Sequence, residues 1–160
     1  MHLAQLDIGR PVAPLTEPQP AGFMAGLEPI NALADAAPGF VWRLQTEDGD
    51  ATAIRPFEDD QLLVNMSVWR SVQALADFVY SGAHRAIMVR RREWLLPMRE
   101  AFQVLWWVPE DALPSVADAV ERLAHLREHG PTPFAVTFRS PFPAPGAAPI
   151  RRDEGWLCPT

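Results

Sequence analysis

His84 and Tyr80 are the side chains whose type and position best suit proton transfer. His84 is the one histidine that falls between predicted core elements, and an imidazole can act as a general base near neutral pH or as an axial metal ligand. Tyr80 precedes it by four residues and could donate a hydrogen bond to a substrate oxygen, if one helix ran through Gly82. The alternative for His84 is a structural imidazole bonded to backbone at the start of a helix. Both interpretations stay open.

Asn65 and Trp69 could position a substrate. They lie four residues apart on one predicted strand, so alternation places both side chains on the same face. The amide of Asn65 needs partners, which could be neighbouring side chains or a ligand carbonyl. Trp42 and Trp69, with the tryptophans at 106 and 107, would make a flat aromatic pocket, although tryptophans at sheet positions more often pack in a core. We therefore treat Asn65, Trp69 and Trp42 as candidate substrate-binding residues.

Arginines supply candidate anion-binding groups. Arg43 could pair with Asp7 or Glu47, or hold a ligand anion, and ion pairing is the simpler interpretation. A second group spreads over several faces of a predicted helix, so a solvated surface paired with Glu93 is the favoured interpretation, and a site for a bound carboxylate or phenolate is the alternative. That group comprises Arg85, Arg90, Arg91 and Arg92.

Composition excludes several other classes of site. Cys158 is the single cysteine, which excludes an internal disulfide and any multi-cysteine metal site. A net charge of -6 argues against general nucleic-acid binding, which requires neutralisation of phosphates. No apolar run approaches the roughly 18 residues of a membrane span, and no signal peptide is recognisable, so we expect a cytoplasmic protein. Phosphate-loop, nucleophile-elbow and zinc motifs are absent from the sequence.

The elements that must position these residues follow from hydrophobic periodicity and from turn residues. Strands are predicted at residues 3–8, 40–45, 62–69 and 102–108, with possible additions at 51–54 and 134–138. One helix begins near Phe23 and ends at Pro38-Gly39. A second begins at Ser71 and is interrupted at Ser81-Gly82, which places His84 near the start of its second part. A third, capped by Ser115, covers residues 115–129.

The chain has the length of one domain, which we assign to residues 1–138 and which includes the C-terminal helix. Residues 139–160 form a Pro-rich tail that is expected to be extended unless it docks. Trp156 could anchor this tail.

The order strand, helix, strand, strand, helix, strand predicts an α+β fold with a ferredoxin-like antiparallel sheet and helices on one face. Large apolar residues alternate to both faces of the predicted strands, so the second face would be an open hydrophobic surface in a monomer. A homodimer that closes two such sheets into an α+β barrel would bury it.

Short sequences spread along the chain carry a resemblance to a known family: Ile30-Asn-Ala-Leu, Pro38-Gly-Phe-Val-Trp-Arg-Leu, Ser67-Val-Trp, Phe78-Val-Tyr, His84, Arg90-Arg-Arg-Glu-Trp, Leu105-Trp-Trp-Val and His129-Gly-Pro-Thr-Pro-Phe. They resemble the bacterial family called domain of unknown function 3291, to about Phe142. The resemblance implies a place in the dimeric α+β barrel superfamily, with the antibiotic-biosynthesis monooxygenases, and a ligand held between sheet and helices.

The superfamily implies two templates for the site. Its cofactor-independent monooxygenases contact an aromatic substrate through an Asn and a Trp four residues later on the third strand, which Asn65 and Trp69 match. Its haem-dependent members ligate iron through a helix histidine, for which His84 is the candidate. We expect a small enzyme, monooxygenase-like or isomerase-like, that acts on an aromatic or apolar molecule without a tightly bound cofactor. His84 and Tyr80 would be catalytic, with Asn65, Trp69, Trp42 and Arg43 binding substrate; a non-catalytic ligand-binding dimer and a haem protein are the alternatives.

Overall fold

An antiparallel sheet with helices on both faces forms the framework of the protein in a computed structural model, which describes residues 1–148. The elements in chain order are β1 (His2–Pro11), α1 (Ala21–Asp35), β2 (Phe40–Arg43), β3 (Leu63–Trp69), α2 (Val72–Val79), α3 (Gly82–Trp94), β4 (Leu95–Leu96), β5 (Gln103–Val108) and α4 (Val116–His129). No helix in this range is both long enough and apolar enough to cross a membrane.

The strand β1 lies at the centre of the sheet. It pairs antiparallel with β3 on one side and with β5 on the other. Because β2 pairs with the outer edge of β3, the main strand order is β2-β3-β1-β5, and the short β4 pairs with the end of β1. This order is the ferredoxin-like arrangement. The predicted α+β class and ferredoxin-like sheet are therefore confirmed.

Serine caps begin two of the helices. The Oγ of Ser115 accepts a hydrogen bond from the backbone N–H of Asp118 at 3.1 Å, as predicted for the start of α4. The Oγ of Ser71 accepts one from Ala74, also at 3.1 Å, at the start of α2. Each cap satisfies an amide of the first turn that has no partner within its helix.

The predicted interruption of the second helix at Ser81-Gly82 is confirmed. Its first part, α2, ends at Val79, and its second part, α3, begins at Gly82. Tyr80 therefore lies just beyond the end of α2, whereas His84 lies in the first turn of α3. The continuous helix that would have aligned Tyr80 with His84 is not formed.

Alternation divides the strand side chains between two faces. On one face they are apolar and pack against α4, mainly through Leu123 and Leu126. We expected this face to be uncovered, and that expectation was wrong: the apolar stripe of α4 covers it within the same chain. The homodimer stays a prediction, but its argument from an open apolar face no longer holds.

The structure also decides the two possible strand additions and the docking of the tail. Residues 51–54 form turns and do not extend the sheet, and residues 134–138 contribute two isolated bridges, one between Val136 and Leu105 and one between Ala135 and Thr132. The described part of the Pro-rich tail docks, since the indole N–H of Trp107 donates to the carbonyl of Phe142 at 2.9 Å. Trp156 and Cys158 lie outside the described residues.

Candidate functional site

A cavity of about 220 Å³ lies between the second face of the sheet and the helices α1 and α3. Its roof is mainly apolar, since the residues that these two helices contribute include Phe23, Leu27, Ile30, Ile87 and Trp94. The volume is somewhat below the roughly 300–1,000 Å³ of drug-sized sites. The cavity therefore suits a small apolar molecule.

The floor of the cavity is the polar part of the sheet. Strand pairing places Asn65, Asp7 and Gln103 in one row across β3, β1 and β5. The next row contains Ser67 and Gln5, again side by side. All five residues line the cavity. A ligand between helices and sheet would thus have an apolar side and a side that meets hydrogen-bonding groups.

Aromatic rings form one wall of the cavity. Trp69 is fully buried and stacks on Phe78 with a centroid separation of 5.1 Å, while the ring of Phe40 meets it edge-on at 5.4 Å. Phe78 in turn lies 5.0 Å from the imidazole of His84. The indole N–H of Trp69 donates to Ser67 at 2.9 Å, which fixes its orientation. Phe78 thus lies between Trp69 and His84, two of the candidate site residues predicted from the sequence.

His84 is held by the backbone at the end of α2. Its Nδ1 lies 2.9 Å from the carbonyl oxygen of Val79. Because a carbonyl can only accept, Nδ1 carries the proton and Nε2 of the neutral ring keeps its lone pair. Burial lowers the pKa of His84, and the bond to Val79 offsets part of that shift. The side chain lines the cavity, so the arrangement provides a neutral imidazole at pH 7 that can accept a proton.

Asp7 and Arg91 form a charged pair on the cavity surface. Their nearest atoms, Arg91 Nη1 and Asp7 Oδ1, are 4.0 Å apart, and Gln103 donates to the other carboxylate oxygen at 3.4 Å. Burial raises the pKa of Asp7 to about 6, against the opposing effects of Arg91 and Gln103. The carboxyl group can therefore gain or lose a proton close to physiological pH.

Arg43 lines the cavity but is bound to other protein groups. Its guanidinium donates to both carboxylate oxygens of Asp35, at 2.8 and 3.2 Å, and to the carbonyl of Gly49 at 2.7 Å. Ion pairing of Arg43 was expected, although with Asp7 or Glu47. Arg43 thus ties β2 to the end of α1 and contributes little free charge to a ligand.

Asn65 is the exposed member of a strand whose other residues are buried. It lies on the cavity face, four residues from Trp69, as alternation predicts. An amide open to a cavity can donate to or accept from a ligand without breaking a bond of the protein core.

The structure does not bring Trp42 and Tyr80 into the cavity lining. A register shift between Phe40 and Trp42 turns Trp42 to the α4 face, where it packs against the apolar core. Tyr80 is 38% exposed and its ring lies 6.4 Å from that of Phe138. Strict alternation could not reveal the shift in β2, and the helix break at Gly82 separates Tyr80 from His84.

Comparison with protein families identifies the chain's relatives. The family model described as Domain of unknown function (DUF3291) matches residues 2–152. The chain belongs to the DUF3291 family. No curated protein sequence matches this DUF3291 chain significantly.

Solved structures similar to this DUF3291 chain have the fold of antibiotic biosynthesis monooxygenases. A candidate monooxygenase of that type from Nitrosomonas europaea has a TM-score of 0.50 and 12% identity, with 69% of this chain and 93% of that chain covered. SnoaB, a cofactor-independent oxygenase from Streptomyces nogalater, has a TM-score of 0.48 and 17% identity, with 71% and 98% covered. At 12% identity, the likeness to the protein from Nitrosomonas europaea shows the fold alone.

Sequence reasoning did not include Gln5, Asp7, Gln103 and Arg91 among the candidate site residues, although all four line the cavity. The first three are polar residues at inward positions of strands that otherwise alternate apolar side chains, which is a readable signal. Arg91 follows His84 by seven residues, or two helical turns, and so shares its face. It was grouped with the solvated arginines, of which Arg90 does pair with Glu93 at 2.9 Å.

The residues of the site fit haem only in part. The Nε2 atom of His84 could serve as an axial ligand, and iron bound there would supply redox chemistry. A cavity of about 220 Å³, however, is small for a tetrapyrrole. Within residues 1–148, no group of three or more His, Cys, Asp or Glu side chains could hold a metal ion.

Proposed function

We propose that this protein is a small enzyme that removes a proton from an aromatic or otherwise apolar substrate, with His84 as the base. The observation that carries the proposal is the 2.9 Å contact between His84 Nδ1 and the Val79 carbonyl. It sets the tautomer in which Nε2 is the basic atom, within a ligand-sized cavity. The lowered pKa keeps the ring neutral and ready to accept a proton at pH 7.

The surrounding groups support substrate positioning. Phe78 lies beside His84, and Trp69 stacks on Phe78, so aromatic rings form this wall of the cavity and favour contact with an aromatic ligand. The amide of Asn65 lies on the floor and can donate to a substrate oxygen that becomes negative as the proton leaves. Transfer of a proton from a carbon next to a carbonyl to Nε2 of His84 leaves an enolate. An isomerase would return the proton to a different carbon, whereas in a monooxygenase the enolate would give electrons to dioxygen.

The proposed proton transfer can be tested without the natural substrate. 2-Tetralone is a small aromatic ketone with acidic C–H groups, and base catalysis exchanges these hydrogens for deuterium in D₂O. We expect the protein to accelerate exchange, measured by NMR, at a rate that falls as acid protonates His84 and that levels off above its lowered pKa. His84→Asn retains an N–H donor for the Val79 carbonyl but lacks the base, so it should lose about 10²- to 10⁴-fold of the acceleration.

His125→Asn is the matched control for His84→Asn. His125 lies on α4, away from the cavity, and its Nε2 is 3.1 Å from the Thr132 hydroxyl. This variant should exchange 2-tetralone at the wild-type rate. Full activity of a folded His84→Asn variant would refute the proposal, whereas binding of 2-tetralone without accelerated exchange would favour a non-catalytic binding protein. An oxygen electrode separates a monooxygenase-like from an isomerase-like reaction.

A further inference from the structure

Asp7 and Arg91 face each other across a gap in the cavity lining. Their nearest atoms, Asp7 Oδ1 and Arg91 Nη1, are 4.0 Å apart, which is too long for a hydrogen bond. Both residues line the cavity, and their side chains keep 22% and 21% of their surface exposed. Because Asp7 lies on the central strand, with its side chain under the helices, the exposed part of its carboxylate opens into the cavity. A ligand there can reach it.

The two arginines of the cavity differ in how far their donors are used. Arg43 makes three hydrogen bonds to protein groups, between 2.7 and 3.2 Å. Within residues 1–148, Arg91 donates only to the backbone oxygen of Ile8, at 3.5 Å. Its guanidinium lies over the ring of Phe102, 4.5 Å from the centroid. Most N–H donors of Arg91 are thus left for another partner.

The carboxylate of Asp7 also has unused capacity. Its Oδ2 atom accepts one hydrogen bond, from the amide of Gln103 at 3.4 Å. Its Oδ1 atom, which faces Arg91, accepts none within the described part of the chain. An ionised carboxylate can accept about four hydrogen bonds, and its two oxygens are equivalent acceptors. Whichever oxygen a ligand approaches, it meets an acceptor.

The pair suits a neutral group that contains both a donor and an acceptor. An anion would be attracted by Arg91 and repelled by Asp7, and a cation would experience the reverse. A hydroxyl oxygen that lies about 2.8 Å from each of the two nearest atoms accepts from Arg91 and donates to Asp7. Hydrogen bonds to charged groups are stronger than those between neutral groups. A water molecule can bridge such a gap, and a ligand hydroxyl that displaces it reproduces both of its bonds.

The pair and the proposed base lie at different positions along the cavity. Arg91 follows His84 by seven residues on α3, and two helical turns correspond to about 10 Å along the helix axis. Phe78, part of the aromatic wall, lies beside His84. A ring that contacts this wall would point its far end toward Asp7 and Arg91.

We propose that Asp7 and Arg91 together bind a hydroxyl group of the substrate, so that the protein selects neutral, hydroxylated aromatic molecules. The hydroxyl lies at the end of the ring system away from the carbon that His84 deprotonates. The inference rests on the proposed function in taking this cavity as the substrate site. It names a chemical group that proton abstraction by itself does not require.

Three naphthalenes test the selection. 2-Naphthol has a hydroxyl group, 2-methoxynaphthalene has an ether oxygen that can only accept, and 2-naphthoate is an anion. Isothermal titration calorimetry at pH 7 should show about tenfold tighter binding of 2-naphthol than of either other compound, because only the hydroxyl bonds to both charged groups. Equal affinities of 2-naphthol and its methyl ether would overturn the proposal, as would tighter binding of 2-naphthoate or failure of all three to bind.

Removal of the carboxylate assigns the preference to the pair. Asp7→Leu keeps a side chain of similar shape without an acceptor, so 2-naphthol and 2-methoxynaphthalene should bind within about twofold of each other. Asn65→Leu is the matched control, since Asn65 lies beside Asp7 on the cavity floor. It should retain the tenfold ratio even if both affinities fall. A ratio that persists in Asp7→Leu, or that disappears in Asn65→Leu, would overturn the proposal.

A pH series makes the same assignment in the wild-type protein, whether or not Asp7→Leu folds. Neither 2-naphthol nor its methyl ether titrates between pH 4 and 7. Acid protonates Asp7, whose pKa is about 6, and thereby removes the ionised acceptor, so the ratio should fall as the pH decreases through this value. The other ionisable residues that line the cavity are Arg43, Asp50, His84 and Arg91. His84→Asn should show the same fall, and a ratio independent of pH in the wild-type protein would overturn the proposal.

The deuterium exchange assay keeps this proposal separate from the proposed function. Exchange of 2-tetralone depends on the base, whereas the ratio of naphthalene affinities depends on the charged pair. Loss of the ratio with His84-dependent exchange intact would refute only the binding of a hydroxyl by Asp7 and Arg91. A clear ratio without exchange would refute only the catalytic role of His84.

Discussion

The two faces of the central sheet have opposite chemical character. Toward α4, β3 presents Val64, Met66 and Val68, all buried in an apolar core. Toward the cavity, the same strand presents Asn65 and Ser67 before it reaches Trp69. The neighbouring strands repeat the contrast. One sheet therefore combines a face that stabilises the fold with a face that carries hydrogen-bonding groups.

The comparison shows where stability was given up for polar groups. An inward polar side chain on a strand costs free energy unless it finds partners, and an apolar residue at the same position would avoid that cost. Strand positions that face inward are normally apolar, and functional sites are where this rule is broken locally. Here the polar groups lie on one face only, around the cavity. The contrast can be tested by substitutions on each face.

The largest effect is expected on the α4 face. Trp106 is 0% exposed there, and Trp106→Ala should lower the free energy of unfolding by about 3–5 kcal/mol, because the lost side chain leaves a large cavity. Trp107→Ala, on the opposite face and only partly buried, should cost less than half as much. Urea unfolding measures both, and equal losses would contradict the assignment of the two faces.

On the cavity face, substitution of Asp7 is expected to stabilise the protein rather than destabilise it. Its folded pKa of about 6 lies above the ordinary value of 3.8, so its contribution to stability is full below pH 3.8 and is lost as the pH rises through 6. At pH 7 the penalty is at most about 3 kcal/mol. Asp7→Asn removes both this penalty and the attraction between Asp7 and Arg91. It should therefore raise the free energy of unfolding at pH 7 by about 1–3 kcal/mol.

Denaturant unfolding between pH 4 and 7 checks the Asp7 prediction. The difference between Asp7→Asn and wild type should grow with pH across this range and become constant above it. Asp77→Asn, at an exposed position of α2 outside the cavity, is the control for the substitution itself. A pH-independent difference for Asp7→Asn would mean that its carboxyl group has an ordinary pKa in the folded protein.

A smaller loss tests the attachment of α4. Ser115→Ala removes the hydrogen bond to the Asp118 amide and should destabilise the protein by about 1 kcal/mol.

Ser71→Ala removes the equivalent bond of α2, beside the cavity. Thermal ligand-protection assays with 2-naphthol should show weakened binding after Ser71→Ala and unchanged binding after Ser115→Ala. The reverse pattern would argue that α4 shapes the cavity.

The smallest effect is expected from haemin. The cavity of about 220 Å³ is small for a tetrapyrrole, so titration of the purified protein with haemin should leave the Soret band where free haemin has it. A shifted band that is absent in His84→Ala would support the haem alternative.

Local sequence signals determined most of the elements. Ser115 and the apolar spacing after it predicted α4, and Ser81-Gly82 predicted the break that places His84 at the start of α3. Alternation alone placed Asn65 and Trp69 on one face of β3. These features could be predicted because caps, glycines and periodicity act over a few residues.

Contacts between distant parts of the chain decided the rest. Whether α4 covers one face of the sheet depends on how residues 109–115 turn the chain. Hydrophobic periodicity carries no information about the direction of that turn, and so the prediction of an open face was wrong. The partner of Arg43 proved to be Asp35, and the register shift in β2 turned Trp42 away from the cavity. Gln5, Asp7 and Arg91 came to line the same cavity as His84 only when β1 paired with β3 and α3 packed above them, because burial and charge at a site come from groups that are far apart in sequence.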